Sequence, residues 1–123
     1  MKPTDIRLHQ KSGVLDVVYD NGDAFELPAE FLRVHSPSAE VQGHGPGQRT
    51  LQDGKRDVKI SGIEAQGNYA IKIVFTDGHD SGIYTWQYLH DLGSRQDVLW
   101  QQYLDELEAA GKSREPKFIA VSR

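Results

Sequence analysis

The sequence predicts an α+β domain, and three observations carry that expectation. Two stretches read as β-hairpins, each is followed at once by a helical run, and a late stretch repeats apolar residues at three and four positions. Together they describe two hairpin-plus-helix units in a small, mostly antiparallel sheet, with a C-terminal amphipathic helix beside them. Residues 1–111 form the single domain in this reading, and 112–123 a flexible tail.

The first element is a short alternating strand over Asp5–Gln10, with Ile6 and Leu8 set against Arg7 and His9. Val14–Tyr19 is apolar and β-branched, Asp20-Asn21-Gly22-Asp23 holds the Asn-Gly pair of a tight turn, and Ala24–Leu27 returns. Pro28 suits the first position of a helix, so Ala29–Val34 reads as one or two turns with Phe31, Leu32 and Val34 inward. Residues 35–54 shift to Gly, Pro, Ser, Gln and His, which predicts a long loop; such loops in small domains are functional or disordered. Val58–Ile63 and Ala70–Phe75 then read as strands around a turn at Gln66-Gly67-Asn68. Thr76-Asp77-Gly78-His79-Asp80 makes a second tight turn, and Gly82-Ile83-Tyr84 returns. Thr85 is placed to cap a helix that ends at Gly93. Val98, Trp100, Tyr103, Leu104 and Leu107 give the last helix, Asp97–Ala110, its apolar face, with Gly111 as its stop. Phe118-Ile119-Ala120-Val121 either adds an edge strand or frays.

The two hairpin-helix segments parallel one another. Val17–Gly22 and Leu27–Leu32 match Ile73–Gly78 and Tyr84–Leu89 at offsets of 56 and then 57, so the second copy carries one extra residue near His79-Asp80-Ser81. Duplication of one ββα unit explains this, and so does the general likeness of any two hairpins that lead into helices.

Composition narrows the function. A net charge of −4 and a pI near 5.7 argue against a polyanion as partner, because neutralising phosphates needs clustered Lys and Arg. The chain has no cysteine, which removes thiolate nucleophiles, disulfides, iron–sulfur ligation by this chain alone and cysteine-type zinc sites. No run approaches the roughly 18 apolar residues that cross a bilayer, so the expectation is a cytoplasmic protein without a membrane partner.

The run Asp77-Gly78-His79-Asp80-Ser81-Gly82-Ile83-Tyr84-Thr85-Trp86-Gln87-Tyr88-Leu89, with Leu27-Pro28-Ala29-Glu30-Phe31-Leu32-Arg33, resembles the γ-butyrobetaine hydroxylase-like N-terminal domain family, DUF971. The similarity covers most of residues 5–93 and suggests a small stand-alone member of bacterial type. In the hydroxylases such a domain precedes an iron and 2-oxoglutarate oxygenase domain, for which 123 residues leave no room. The resemblance also implies a structural zinc held by three cysteines after the first helix and a histidine in the Asp-Gly-His turn. Matched to that pattern, Ser36 and Ser38 stand where the first two cysteines would be, Val41 approximately where the third would be, and His79 at the histidine. A similar domain occurs beside Mrp-type iron–sulfur carriers, which implies an accessory or docking role.

Several candidate sites follow. His35, His44 and His79, with Glu40, Asp77 and Asp80, form a nitrogen and oxygen set suited to zinc or iron if the long loop folds over the second turn. Without an HxH or HExxH spacing, the reading that comes first is that His79 bonds a turn carbonyl while the other two are solvated. Gly43-His44-Gly45-Pro46-Gly47 lacks the Lys-Ser or Lys-Thr of a phosphate loop, and reads as flexible chain or as a partner contact through His44 and Gly45. Trp86 and Trp100 serve either the core or a binding face. Ser36, Ser38 and Ser81 have no nucleophile-elbow context.

The sequence thus predicts a non-enzymatic binding or adaptor domain for another protein, linked through the resemblance to metal or iron–sulfur assembly. The alternative is a metal sensor or divergent metal-dependent enzyme centred on His79 with the loop histidines.

Overall fold

The computed structural model describes residues 1–45 and 47–117. Strands β1 (Pro3–His9), β2 (Val14–Tyr19) and β3 (Ala24–Pro28) lead into α1 (Ala29–Val34) and a further short helix, α2 (Ala39–Gln42). Then β4 (Ile60–Gln66), β5 (Ala70–Phe75) and β6 (Ile83–Thr85) lead into α3 (Trp86–Ser94) and α4 (Gln96–Ala109). The strands make two three-stranded antiparallel sheets, ordered β1-β2-β3 and β4-β5-β6.

The two sheets repeat one design. The pairing shifts register near the start of both β1 and β4, between Pro3 and Asp5 and between Ile60 and Gly62. Both central strands send alternate residues inward, Leu15, Val17 and Tyr19 in β2 and Ile71, Ile73 and Phe75 in β5. The Tyr19 N–H donates to Asp23 O and the Phe75 N–H to His79 O, closing equivalent turns around Gly22 and Gly78, whose φ values of 94° and 91° suit glycine. β3 ends at Pro28 and β6 at Thr85, the caps of α1 and α3; Pro28 is the N-cap of α1 rather than its first residue. The repeat therefore embraces three strands and a helix. It breaks after the second turn, where residues 79–82 leave the ladder and β6 keeps three residues.

One core joins the units: Leu15, Val17 and Leu27 pack with Phe31, Ile73, Tyr84 and Leu89. Reciprocal bonds lock them, since Tyr19 Oη donates to Trp86 O at 2.8 Å and Tyr84 Oη to Leu32 O at 2.6 Å. Burial pushes the Tyr19 phenol up to about 12. All six residues of α1 are buried, including the charged Glu30 and Arg33. Helix α4 closes a second cluster with Tyr103 and Leu107 against Val34, while Val98, expected on that face, is exposed.

Two expectations shift. The 35–54 stretch contains α2, capped by the Ser38 hydroxyl accepting the Glu40 N–H, and the Arg33 guanidinium holds Gln52. Residues 112–117, expected as a tail, are pinned: Arg114 makes two bonds to Glu30 at 2.9 and 2.7 Å and lies 5.1 Å from the Trp100 ring. The 118–121 strand expectation lies outside the described residues.

Gly93 does not end α3 but lies within it. Its role is steric: a Cβ there would sit 2.3 Å from the Phe25 ring, which is how α3 of the second unit reaches β3 of the first. Gly93→Ala should therefore destabilise by about 1–3 kcal/mol through overpacking, although alanine raises helix propensity by up to ~1 kcal/mol. A urea midpoint at or above the wild-type value would show that the approach is not tight.

Candidate functional site

The departure of residues 79–82 from the ladder brings His79 to the stretch that follows α1. His79 is 6% exposed and Ser36 is 0% exposed. Ser36 Oγ lies 2.8 Å from His79 Nε2, and Glu40 Oε2 lies 3.1 Å from Nδ1. A carboxylate only accepts, so Nδ1 carries the proton, Nε2 accepts from the Ser36 hydroxyl, and Ser36 Oγ accepts the Ser38 N–H at 3.2 Å. Beside this chain Ser38 Oγ meets Ser81 Oγ at 2.7 Å.

A buried charge stands next to it. Arg33 Nε donates to Asp77 Oδ2 at 2.9 Å, and Lys55 Nζ meets the same oxygen at 2.7 Å. Burial alone would raise the Asp77 carboxyl, but Lys55, the His79 N–H and Arg33 outweigh it and hold the group at about 2. Burial lowers the His79 pKa, Arg33 lowers it further, and Glu40 opposes both. Burial and Arg33 thus favour the neutral imidazole, in agreement with the bond directions.

The order serine, histidine, carboxylate is that of a nucleophilic triad. Ser36, however, presents no surface to solvent, and Gly82 packs so closely that a Cβ there would lie 2.5 Å from its Oγ. No substrate carbonyl reaches the hydroxyl in this arrangement. Among the described residues, every buried side-chain nitrogen and oxygen has a hydrogen-bond partner. Ser36 and His79 are thus closed off from solvent, while Glu40 reaches the imidazole from the exposed surface.

The expected gathering of His35, His44 and His79 is not formed: among the described residues no three His, Asp or Glu side chains make a group able to hold a metal. His35 Nδ1 donates to Phe31 O at 2.9 Å and packs against Phe31 and Tyr103. His44 is exposed in a turn whose backbone bonds Gln48, and Gly45 O accepts the Gln48 N–H. Trp86 Nε1 donates to Asn68 O, and Trp100 lies between Phe31, Tyr103 and Arg114. The zinc implied by the resemblance does not fit either. The Ser36 and Ser38 hydroxyls are engaged in hydrogen bonds, neither is a thiolate, and Val41 is an apolar side chain 1% exposed.

An open cleft of about 370 Å³ borders the same stretch of chain at His35. His35, Arg49, Tyr88, Asp91, Arg95 and Glu106 are among its lining side chains. Arg49 is paired with Glu106, and Tyr88 Oη donates to His35 O at 2.5 Å. Arg95 is exposed at the junction of α3 and α4. No local sequence motif announces this cleft, because its walls come from α3, α4 and the 35–49 stretch.

Histidines with folded pKa values below 6.5 bind protons more readily when unfolded, so stability is full above that value and lost as pH falls below it. His35 and His79 should both act in this direction. Urea midpoints should fall from pH 7 to pH 5, and His79→Gln should reduce the slope while leaving the share of His35. A flat profile would contradict buried neutral histidines. Asp77 adds a separate loss between pH 3.8 and about 2, which Asp77→Asn should remove. Nitrogen-15 chemical shifts should also report the Nδ1–H tautomer of His79.

The family model described as gamma-butyrobetaine hydroxylase-like, N-terminal, matches residues 6–90. Two solution NMR structures are similar at 53% and 50% identity, with TM-scores of 0.82 and 0.80; each match covers 99% of this chain and 96% or 92% of the other. A crystal structure of a DUF971 protein of unknown function from Acidithiobacillus ferrooxidans is 33% identical, with a TM-score of 0.58, over 75% of this chain and 92% of that one. No curated protein matches. Among the described residues no helix is long and apolar enough to cross a membrane. The match over residues 6–90 shows that the chain belongs to the gamma-butyrobetaine hydroxylase-like N-terminal family.

Proposed function

We propose that the chain is a non-enzymatic binding module whose ligand is another protein, engaged at the cleft between the 35–49 stretch and helices α3 and α4. The observation that carries this reading is the contrast between two sites. The reactive-looking Ser36, His79 and Glu40 are closed on one another with Ser36 fully buried, whereas the cleft is open and offers charges of both signs.

A cleft with Arg49 and Arg95 beside Asp91 and Glu106 suits the mixed polar surface of a transient protein interface better than a polyanion. The overall charge of −4 points the same way. Tyr88 and His35 add amphipathic groups of the kind that anchor contacts. Metal sensing has less support, since among the described residues Glu40 is the one carboxylate hydrogen-bonded to the His79 imidazole.

The test is site-specific photo-crosslinking in cells, with the reactive amino acid at Gln102 in the cleft and, as control, at Lys11 on the first hairpin turn. A discrete adduct to one protein is expected from Gln102 alone, and Arg95→Glu should reduce it at least tenfold, the change produced by ~1.4 kcal/mol of binding. Equal adducts at both positions, or none at Gln102, would rule out the cleft as the interface.

A further inference from the structure

The residues that stand where the resemblance places metal ligands are joined without a metal. We propose that Ser36, His79 and Glu40, with the Ser38–Ser81 pair, form a metal-free clamp that ties the end of α1 to the 75–82 turn, doing with hydrogen bonds what a bound metal would do with coordination.

The connectivity supports this. Ser36–His79 and Ser38–Ser81 each join residues 43 apart, and Glu40–His79 joins residues 39 apart, so three contacts close one long loop at one place. A metal held by the same two stretches would close the same loop and exact the same chain entropy. The chemistry is complete: the Ser38 N–H, the Ser36 hydroxyl and the imidazole form a run in which each donor has its acceptor. Gln42 Nε2 fastens the same turn from outside by donating to Ser36 O at 2.8 Å.

The surroundings also favour a neutral clamp. Val41 fills its position as a buried apolar side chain. Gly82 gives Ser36 Oγ the space that a Cβ would take. The Arg33 guanidinium, fixed on Asp77, places a positive charge near His79, which disfavours a second cation there. Ser36 Oγ nonetheless lies 2.8 Å from His79 Nε2, a position from which a thiolate could share an ion with that nitrogen, and Ser38 Oγ lies two residues along the same stretch. The fold should therefore be indifferent to metal as it stands and able to accept one when cysteines replace the serines.

Thermal unfolding of the untagged full chain, with EDTA and with equimolar zinc, is the first measurement. The midpoint should stay the same in both. Ser36→Ala should lower it by roughly 4–8 °C, a value unaffected by zinc. The double variant S36C/S38C should take up one cobalt(II) with thiolate-to-cobalt absorption and become sensitive to chelator, and His79→Ala added to it should weaken that uptake at least tenfold. A wild-type midpoint that falls on chelation, or a Ser36→Ala midpoint equal to wild type, overturns the clamp. A folded double variant that binds no cobalt overturns its equivalence to a metal site. Should either serine variant fail to fold, the wild-type chelation result still decides.

Discussion

The guanidinium of Arg33 sets the constraint around which the molecule is arranged. It sits in a helix whose residues are all buried, and a charge there is tolerated only if it is paired. The partner, Asp77, comes from the turn of the other unit, and Gln52 comes from the stretch between the units. One buried charge thus forces three distant pieces of chain to meet. Asp77 in turn takes the His79 N–H at 3.2 Å and Lys55, which orients the turn and delivers His79 to Ser36. The histidine network is a consequence of the ion pair, not an independent site.

The pseudo-repeat shows why this happens in one unit only. Up to the turn glycines the two copies agree in register shift, inward residues and turn bond. Beyond them, Asp23 in the first copy faces solvent and bonds Asn21 and His90, while its counterpart His79 is buried. The extra residue in the second copy lets 79–82 leave the ladder, shortening β6 and placing Ser81 and Gly82 against Ser38 and Ser36. A near-symmetric scaffold supplies rigidity, and the single break in symmetry supplies the joint.

Much of the scaffold was legible because it is local. Asn21-Gly22 and Asp77-Gly78 fix the turns, apolar β-branched runs mark β2 and β5, and Thr85 caps α3 through the Tyr88 N–H. What escaped is what depends on approach between distant residues. Gly93 reads as a helix stop until the Phe25 ring is placed above it. Glu30 and Arg33 stand outside the inward set Phe31, Leu32 and Val34 predicted for the short helix, yet both are buried, paired with Arg114 and Asp77. The serine–histidine contact spans 43 residues and has no spacing motif, so His79 suggested a metal when its ring nitrogens in fact meet one hydroxyl and one carboxylate. Helix α2 is four residues long, too short for periodicity to register.

The clamp and the cleft share a backbone. His35 O accepts Tyr88 Oη on the cleft side, and Ser36 O accepts Gln42 Nε2, whose side chain also lines the cleft. The side chain of Ser36 bonds His79. Two consecutive residues therefore hold one wall of the cleft and one half of the clamp, and neither can move without the other. A module that must present a fixed polar surface needs such a brace, because each side chain left free to reorient costs about 0.5–1.5 kcal/mol when a partner immobilises it. Burying Ser36 and His79 thus braces the cleft wall, the surface that the proposed protein interface would use.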